Sequence, residues 1–349
     1  MLTSEIAADL EARHPGHPRL AVWLRMLRAA GVVSRPWVAS LEKTAALEGV
    51  GPRSRAVWAA VADLAEQAAI SALAVAGLDR TEVDAVVTTH STSWTVPGLE
   101  VEMIRRLGLR PDVTRVPLTT LACAGGVHAL VQAARITQAR PGSRVLVVAA
   151  EALSTLYHPE HASLQTVLYG GLFGDCAAAT VVVGDEALVP EGAGSLCGEA
   201  AVWEWLQPDS GDRYWSRVDA DGLHFDSGPR ASRAAGEVLP HLTSWLDGRP
   251  VEWAAVHPGG PGIIAGTVQA LGLPETAGRH SFASLSGGNL GGPAVLDVLQ
   301  RTLAAGDAKG PGLVIGFGPG FSATALYLDA AQTHSPGPDG GRGTARETA

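Results

Sequence analysis

RVPLTTLACAGGVHALVQAARITQ, residues 115–138, changes period in its middle. Val116 to Leu121 is an extended run, and directly after Cys123 a helix-like pattern of apolar residues begins. A strand that feeds a helix through a turn of small residues is the building unit of α/β folds. Working outward, DAVVTTH (84–90) and RVLVVAA (144–150) read as buried strands with helical segments between them. Arg53 to Leu78 carries Val57, Val61, Leu64 and Ala68 at helical spacing and predicts a helix of several turns. Thr3 to Arg28 reads as two short helices broken at HPGHP (14–18). Strands alternating with helices predict an α/β fold with a largely parallel core.

Composition narrows the function. The 349 residues are 46% hydrophobic and 17% charged, enough for a large buried core. A net charge of −9, with Lys43 and Lys309 the only lysines, argues against a nucleic-acid binder, which needs a basic surface to displace counterions. Neither lysine follows glycine, so no phosphate-binding Gly-Lys-Ser/Thr loop is present. No uncharged apolar run approaches the roughly 18–20 residues of a membrane helix, so no membrane partner is expected. The opening MLTSEIAADLEARHP is acidic where a signal peptide is basic. Cys123, Cys176 and Cys197 are too few for a disulfide framework, and a reduced, cytoplasmic enzyme is expected. Residues 332–349, polar and rich in Pro and Gly, are expected to form a disordered tail.

Cys123 stands where a strand meets a helix, facing free backbone N–H groups and the positive end of the helix dipole. That setting favours a thiolate nucleophile; the alternative is a buried structural thiol. Cys176 and Cys197 lack such a setting. His257 ends an apolar strand in WAAVHPGGPGII, and Asn289 lies in the Gly-rich LSGGNLGGPAVLDVL. A His and an Asn held at element ends can aim two donors at one oxygen, as an oxyanion or enolate requires. Each also has a plain structural reading, as a turn cap or as a residue tolerant of positive φ. The order Cys, His, Asn is shared with papain-like hydrolases, although Leu-Ala-Cys-Ala-Gly-Gly lacks their local signature. His14-x-x-His17 and His158-x-x-His161 have no further clustered ligand, so no metal is expected.

One echo runs along the chain. Phe173-Gly174 leads to Ala179-Thr180, and Phe317-Gly318 leads to Ala323-Thr324 across the same gap, which suggests duplication or the chance recurrence of common pairs. LACAGG around Cys123, YGGLFGDCAAATVVVG (169–184), HPGGPGII (257–264), GNLGGPAVLDVL (288–299) and GFGPGFSAT (316–324) resemble type III polyketide synthases, the chalcone-synthase family, and the bacterial branch most.

The resemblance implies a thiolase fold, layered α/β/α/β/α and built from two similar halves, here 1–190 and 191–331, in a homodimer. It implies a triad of Cys123, His257 and Asn289. Cys123 would hold the acyl chain, while His257 keeps the thiolate ionised and polarises the malonyl thioester together with Asn289. Phe173 and Phe225 match the gating pair, and Ser91, Tyr157 and Tyr169 fall in the pocket stretches. Arg25 and Arg35, with Gly259-Gly260-Pro261, match the region that touches coenzyme A. Val22 and Ala29 replace the usual lysines there, with Arg19 or Arg28 as substitutes. Val96 matches a residue that crosses from the partner subunit. The implied activity is iterative decarboxylative condensation of malonyl-CoA onto an acyl-CoA starter, giving a pyrone, resorcinol or phloroglucinol-type product, with no cofactor. The competing readings are a single-extension ketoacyl-synthase III and, from another class, a cysteine hydrolase of thioesters or amides.

Overall fold

The computed structural model describes residues 1–187, 196–197 and 200–333. The chain opens with α1 (Thr3–Arg13), α2 (Leu20–Ala29), the short α3 (Leu41–Ala45) and the long α4 (Val50–Ala76), and the break between the first two falls at HPGHP. On α4, Val57, Val61, Ala65, Ala69 and Leu73 recur every fourth residue and are all buried. The alanines in that stripe let the helix lie close on a sheet. By length and composition α4 could cross a membrane, with an 18-residue stretch of mean hydropathy 1.4, which the expectation of no such run had not foreseen. Its apolar stripe faces the core instead.

The first sheet is built from β1 (Ala85–His90), α5 (Leu99–Leu107), β2 (Thr114–Thr119), α6 (Gly125–Ala139), β3 (Arg144–Ala152), α7 (Leu164–Leu172) and β4 (Asp175–Val183). Strand order is β2-β1-β3-β4; the first three strands are parallel and β4 is antiparallel. Every residue of β1 is buried, as expected for a parallel strand covered on both faces. Val86, Leu146 and Val148 face α4, while Val87, Val145 and Val147 face α6.

The second sheet follows from β5 (Leu196–Cys197), β6 (Ala200–Leu206), a separate hairpin of β7 (Tyr214–Asp219) and β8 (Gly222–Ser227), α8 (Ala234–Leu246) and β9 (Trp253–Val256). It continues through α9 (Pro261–Ala270), α10 (Arg279–Ser286), α11 (Ala294–Ala304), β10 (Gly310–Gly318) and β11 (Ser322–Thr333). β9 and β10 are parallel, β11 returns antiparallel, and β6 pairs along its outer edge. One apolar cluster packs α8 on the outer face. Another joins Val127 and Leu130 of α6 and Val295 of α11 to Ala149 of β3 and Val314 of β10, so α6 and α11 lie between the two sheets. This is the layered α/β/α/β/α arrangement expected.

Ala179-Thr180 and Ala323-Thr324 both fall on the antiparallel last strand of a sheet. The links into those strands differ. β10 turns into β11 through Pro319-Gly320-Phe321, whereas residues 153–174 stand between β3 and β4 and form a short 3-10 turn and α7. That insertion supplies one wall of the site described below. The expected boundary at 190/191 lies outside the described residues, as does the chain beyond 333. Gln332 and Thr333, expected in the tail, extend β11 and pair with β5.

Two glycines bring the halves together. A Cβ on Gly126 would lie 2.2 Å from the Gly292 carbonyl oxygen, and one on Gly318 would lie 2.8 Å from the Ala124 Cβ. The start of α6 is therefore pressed against the loop after Asn289 and against the end of β10. Gly126→Ala should destabilise the fold by about 1–3 kcal/mol, since the obstacle is backbone. Gly142→Ala, with nothing within 4 Å, should leave the unfolding midpoint in urea or heat unchanged.

Candidate active site

Cys123 sits in a 3-10 turn, Ala122–Ala124, between β2 and α6. Two non-glycine residues before it, Thr120 (φ 63°) and Ala122 (φ 46°), take left-handed backbone conformations that cost about 1–3 kcal/mol each. Such strain persists only where surrounding packing imposes it. Here the packing is the seam between the halves.

Asn289 reaches the same seam from the other half. Its backbone N–H donates to Leu172 O at 3.0 Å, and its carbonyl accepts from Gly174 N at 3.1 Å, making a parallel bridge with Phe173. Gly291 N donates to Asn289 Oδ1 at 2.9 Å, which turns the amide so that Nδ2 donates to Cys123 Sγ at 4.0 Å. His257 follows β9 directly; its backbone N–H bonds to Ile315 O, and its buried Nδ1 has no partner among the described residues. A Cβ on Gly259 would come within 3.4 Å of His257 Nε2, so the Gly259-Gly260-Pro261 turn opening α9 borders the imidazole.

Burial dominates the electrostatics. It pushes the Cys123 thiol up to about 12, with the Glu151 carboxylate adding to the rise and Asn289 opposing it. Burial likewise pushes His257 down to about 4. Burial therefore favours a neutral thiol and a neutral imidazole, against the expectation that the helix start favours a thiolate and that His257 holds it ionised. Desolvation outweighs the helix dipole where both groups are withdrawn from water.

A cavity of about 30 Å³ adjoins Cys123, lined in part by Ser91, Glu151, Phe173, Ser216, Leu223 and Phe225. That is room for roughly one or two water molecules. Phe173 and Phe225 meet edge to face, with centroids 5.4 Å apart. Tyr169 stands behind them, 5.6 Å from Phe173 and 4.8 Å from Phe225, and does not itself line the cavity. Ser91 is held by Glu151, which accepts from its N–H at 3.1 Å and from its hydroxyl at 2.8 Å.

Other expected site residues lie elsewhere. Tyr157 is fully buried beneath α1, α2 and α7, with its hydroxyl donating to Asp9 at 2.6 Å; it belongs to the core under the N-terminal helices and not to the pocket. Arg35, expected near coenzyme A phosphates, is only 2% exposed, and its guanidinium donates to Thr3 Oγ1 at 2.6 Å. It fastens the N-terminal segment. Arg25 and Arg28 are exposed on α2, and Gly260 and Pro261 also reach the surface. Cys176 is a partly buried residue of β4, and the Cys197 side chain lies outside the described residues. His14 bonds to Pro159 O and His158 to Leu223 O, so both histidines hold backbone carbonyls.

Glu151 opens one of the pocket stretches of the resemblance, but motif reading gave it no role. Burial raises its carboxyl to about 7, with hydrogen bonds from Ser91 and Thr92 opposing the shift. The signal available was a single acidic residue closing the apolar strand RVLVVAA. Because iodoacetamide takes the thiolate, Cys123 alkylation should climb steadily between about pH 7 and 10 with no plateau at neutral pH. Glu151→Gln removes a repelling charge and should shift that climb to lower pH. A plateau below neutral pH would instead reveal a preformed thiolate.

The sequence and the fold both have counterparts among known proteins. The family model for chalcone and stilbene synthases, N-terminal domain, matches residues 38–186. The chain is 32% identical over 332 residues to the 1,3,6,8-tetrahydroxynaphthalene synthase of Streptomyces griseus, spanning 93% of this chain and 87% of that protein. It is 28% identical to the phloroglucinol synthase of Pseudomonas fluorescens over 91% of this chain and 92% of that protein. Germicidin synthase from Streptomyces coelicolor, a type III polyketide synthase, superposes with a TM-score of 0.87 at 31% identity, covering 94% of both chains. Identity at this level along nearly the whole chain, over one shared fold, settles kinship: the chain belongs to the type III polyketide synthases, acyltransferases that condense with loss of CO₂.

Proposed function

We propose that Cys123 carries the growing acyl chain and that His257 and Asn289 stabilise the enolate that extends it, giving a pyrone, resorcinol or phloroglucinol-type product. The observation that carries this reading is the Asn289 amide, fixed by Gly291 with its N–H group turned to the Cys123 sulfur. In the first step the thiol attacks the starter acyl-CoA; the neutral imidazole of His257 takes and keeps the thiol proton as the new C–S bond forms, the bond to the coenzyme A sulfur breaks, and coenzyme A leaves as a thiolate that takes a proton from solvent. Malonyl-CoA then enters. Its carboxylate C–C bond breaks to give CO₂, and the electron pair passes into the thioester as an enolate. The N–H group formed on His257 in the first step and the amide of Asn289 are the donors offered to that oxygen. The enolate carbon attacks the Cys123 thioester, a C–C bond forms, the thioester C–S bond breaks, and the Cys123 sulfur takes its proton back from His257 for the next round. No metal or redox group takes part in these steps.

The small-molecule partners are acyl-CoA and malonyl-CoA. Arg25 and Arg28, exposed on α2, and the Gly259-Gly260-Pro261 turn are the groups offered to coenzyme A, because that turn joins the surface to the His257 ring. An enzyme drawing on these thioesters works in the cytoplasm. The homodimer is supported by two exposed features. β2 is an edge strand containing Pro117, with every second residue exposed, and Val96 is 97% exposed on the loop after Ser91.

Asn289→Ala should lower malonyl-CoA decarboxylation by about 10²–10³ in kcat while Cys123 still takes up the starter, seen as a mass shift. Cys123→Ala should release no extended product. Persistent condensation in that variant would exclude the mechanism, and thioester cleavage without CO₂ would favour a hydrolase. In sedimentation the protein should run at twice the chain mass, and Val96→Lys should shift it toward monomer.

A further inference from the structure

The cavity beside Cys123 is too small for an acyl chain, so the gate has to open during each cycle. Its two phenylalanines are not equally free. Phe173 lies in the bridge to Asn289, and its carbonyl also accepts from Trp37 Nε1 at 3.1 Å. Phe225 rides on the β7–β8 hairpin, which pairs with neither large sheet. Besides a His161–Asp221 ion pair of 3.4 Å at its tip and a bond from the Tyr214 hydroxyl to Ala231 O of 3.2 Å, three hydrogen bonds tether that hairpin. Ala220 O at its tip accepts from Val50 N at 2.8 Å, Leu223 O in its middle bonds to the His158 ring at 2.8 Å, and at its base Tyr169 donates to Ser227 Oγ at 2.6 Å. The third tether alone joins α7, the helix running into Phe173, to the strand bearing Phe225. It lies two residues from Phe225 and holds the Tyr169 ring against both phenylalanines.

Resting on the condensing reading above, we propose that the Tyr169–Ser227 hydrogen bond is a latch that holds Phe225 against Phe173, restricts the site to short acyl starters and keeps water from the Cys123 thioester. Without it the hairpin base swings away, longer chains enter, and water follows. Water adds to the thioester carbonyl, the C–S bond breaks, and a free acid leaves while the thiol regains its proton.

Wild type, Tyr169→Phe, Ser227→Ala and the double variant, each as the full chain, are given malonyl-CoA with acetyl-, hexanoyl- or dodecanoyl-CoA, and condensed products and free acids are weighed by mass spectrometry. Each single variant should raise the kcat/KM of dodecanoyl-CoA relative to acetyl-CoA by about fivefold, the scale of one neutral hydrogen bond. The fraction of chains lost as free acid should rise with it. The double variant should gain no more than either single one, because both remove the same bond. Unchanged ratios, multiplicative gains in the double variant, or a wild type that takes dodecanoyl-CoA as readily as acetyl-CoA would overturn the latch. If Tyr169→Phe fails to fold, Ser227→Ala decides alone. CO₂ release and Cys123 acylation in the wild type are scored in parallel. Their absence overturns the condensing reading itself, whereas their presence with unchanged ratios overturns the latch only.

Discussion

The close approach of two backbones at the seam between the halves is the constraint on which the site depends. Gly126, in the first turn of α6, lies where any Cβ would strike the Gly292 carbonyl, three residues beyond Asn289. On the same seam Phe173 and Asn289 form a parallel bridge, so a gate residue from one half and an amide from the other move as one body. Cys123 is caught between these contacts. Its left-handed neighbours Thr120 and Ala122 keep their strained backbone because helix, loop and β10 close on them from three sides. A closely packed interior has few alternative arrangements, which is how a seam of glycines comes to position a nucleophile.

The same packing sets the electrostatics. Cys123, His257 and Glu151 are all withdrawn from water, and in each case desolvation is the leading cause of the shift toward the neutral form. A site assembled from neutral groups holds its donors ready without an ion pair that would first have to be broken. Its cavity has room for only roughly one or two water molecules, which suits the proposed carbanion chemistry. The cost is a set of buried polar atoms without partners among the described residues, including His257 Nδ1. Among the described residues the β7–β8 hairpin pairs with neither large sheet, so the wall that carries Phe225 is held by side-chain packing, an ion pair and individual hydrogen bonds and not by a strand ladder.

Local pattern made much of this visible in advance. The period change at Cys123, the helix around Val57 and Val61, the strands ending at His90 and His257, and the Ala-Thr pairs on the last strand of each sheet all depend on neighbours in the chain, and they stand where expected. Tyr157 and Arg35 misled because position in a motif says nothing of direction. One step along a turn separates a side chain facing the cavity from one facing the helices behind it, and both of these face inward under α1 and α2. Glu151 went unassigned for the related reason that its role lies in what surrounds it.

From sequence alone came the α/β class and the residues proposed as nucleophile, imidazole and amide, because periodicity and short motifs are properties of adjacent residues; the two-half architecture came from the family resemblance. Tertiary structure alone decided that burial raises the thiol pKa, that a buried carboxylate raises it further, and that Phe173 is fixed while Phe225 hangs on a tethered hairpin. Burial and through-space charge depend on residues far apart in the chain, such as Cys123 and Glu151 or Tyr169 and Ser227, and those pairs meet only when the chain has folded.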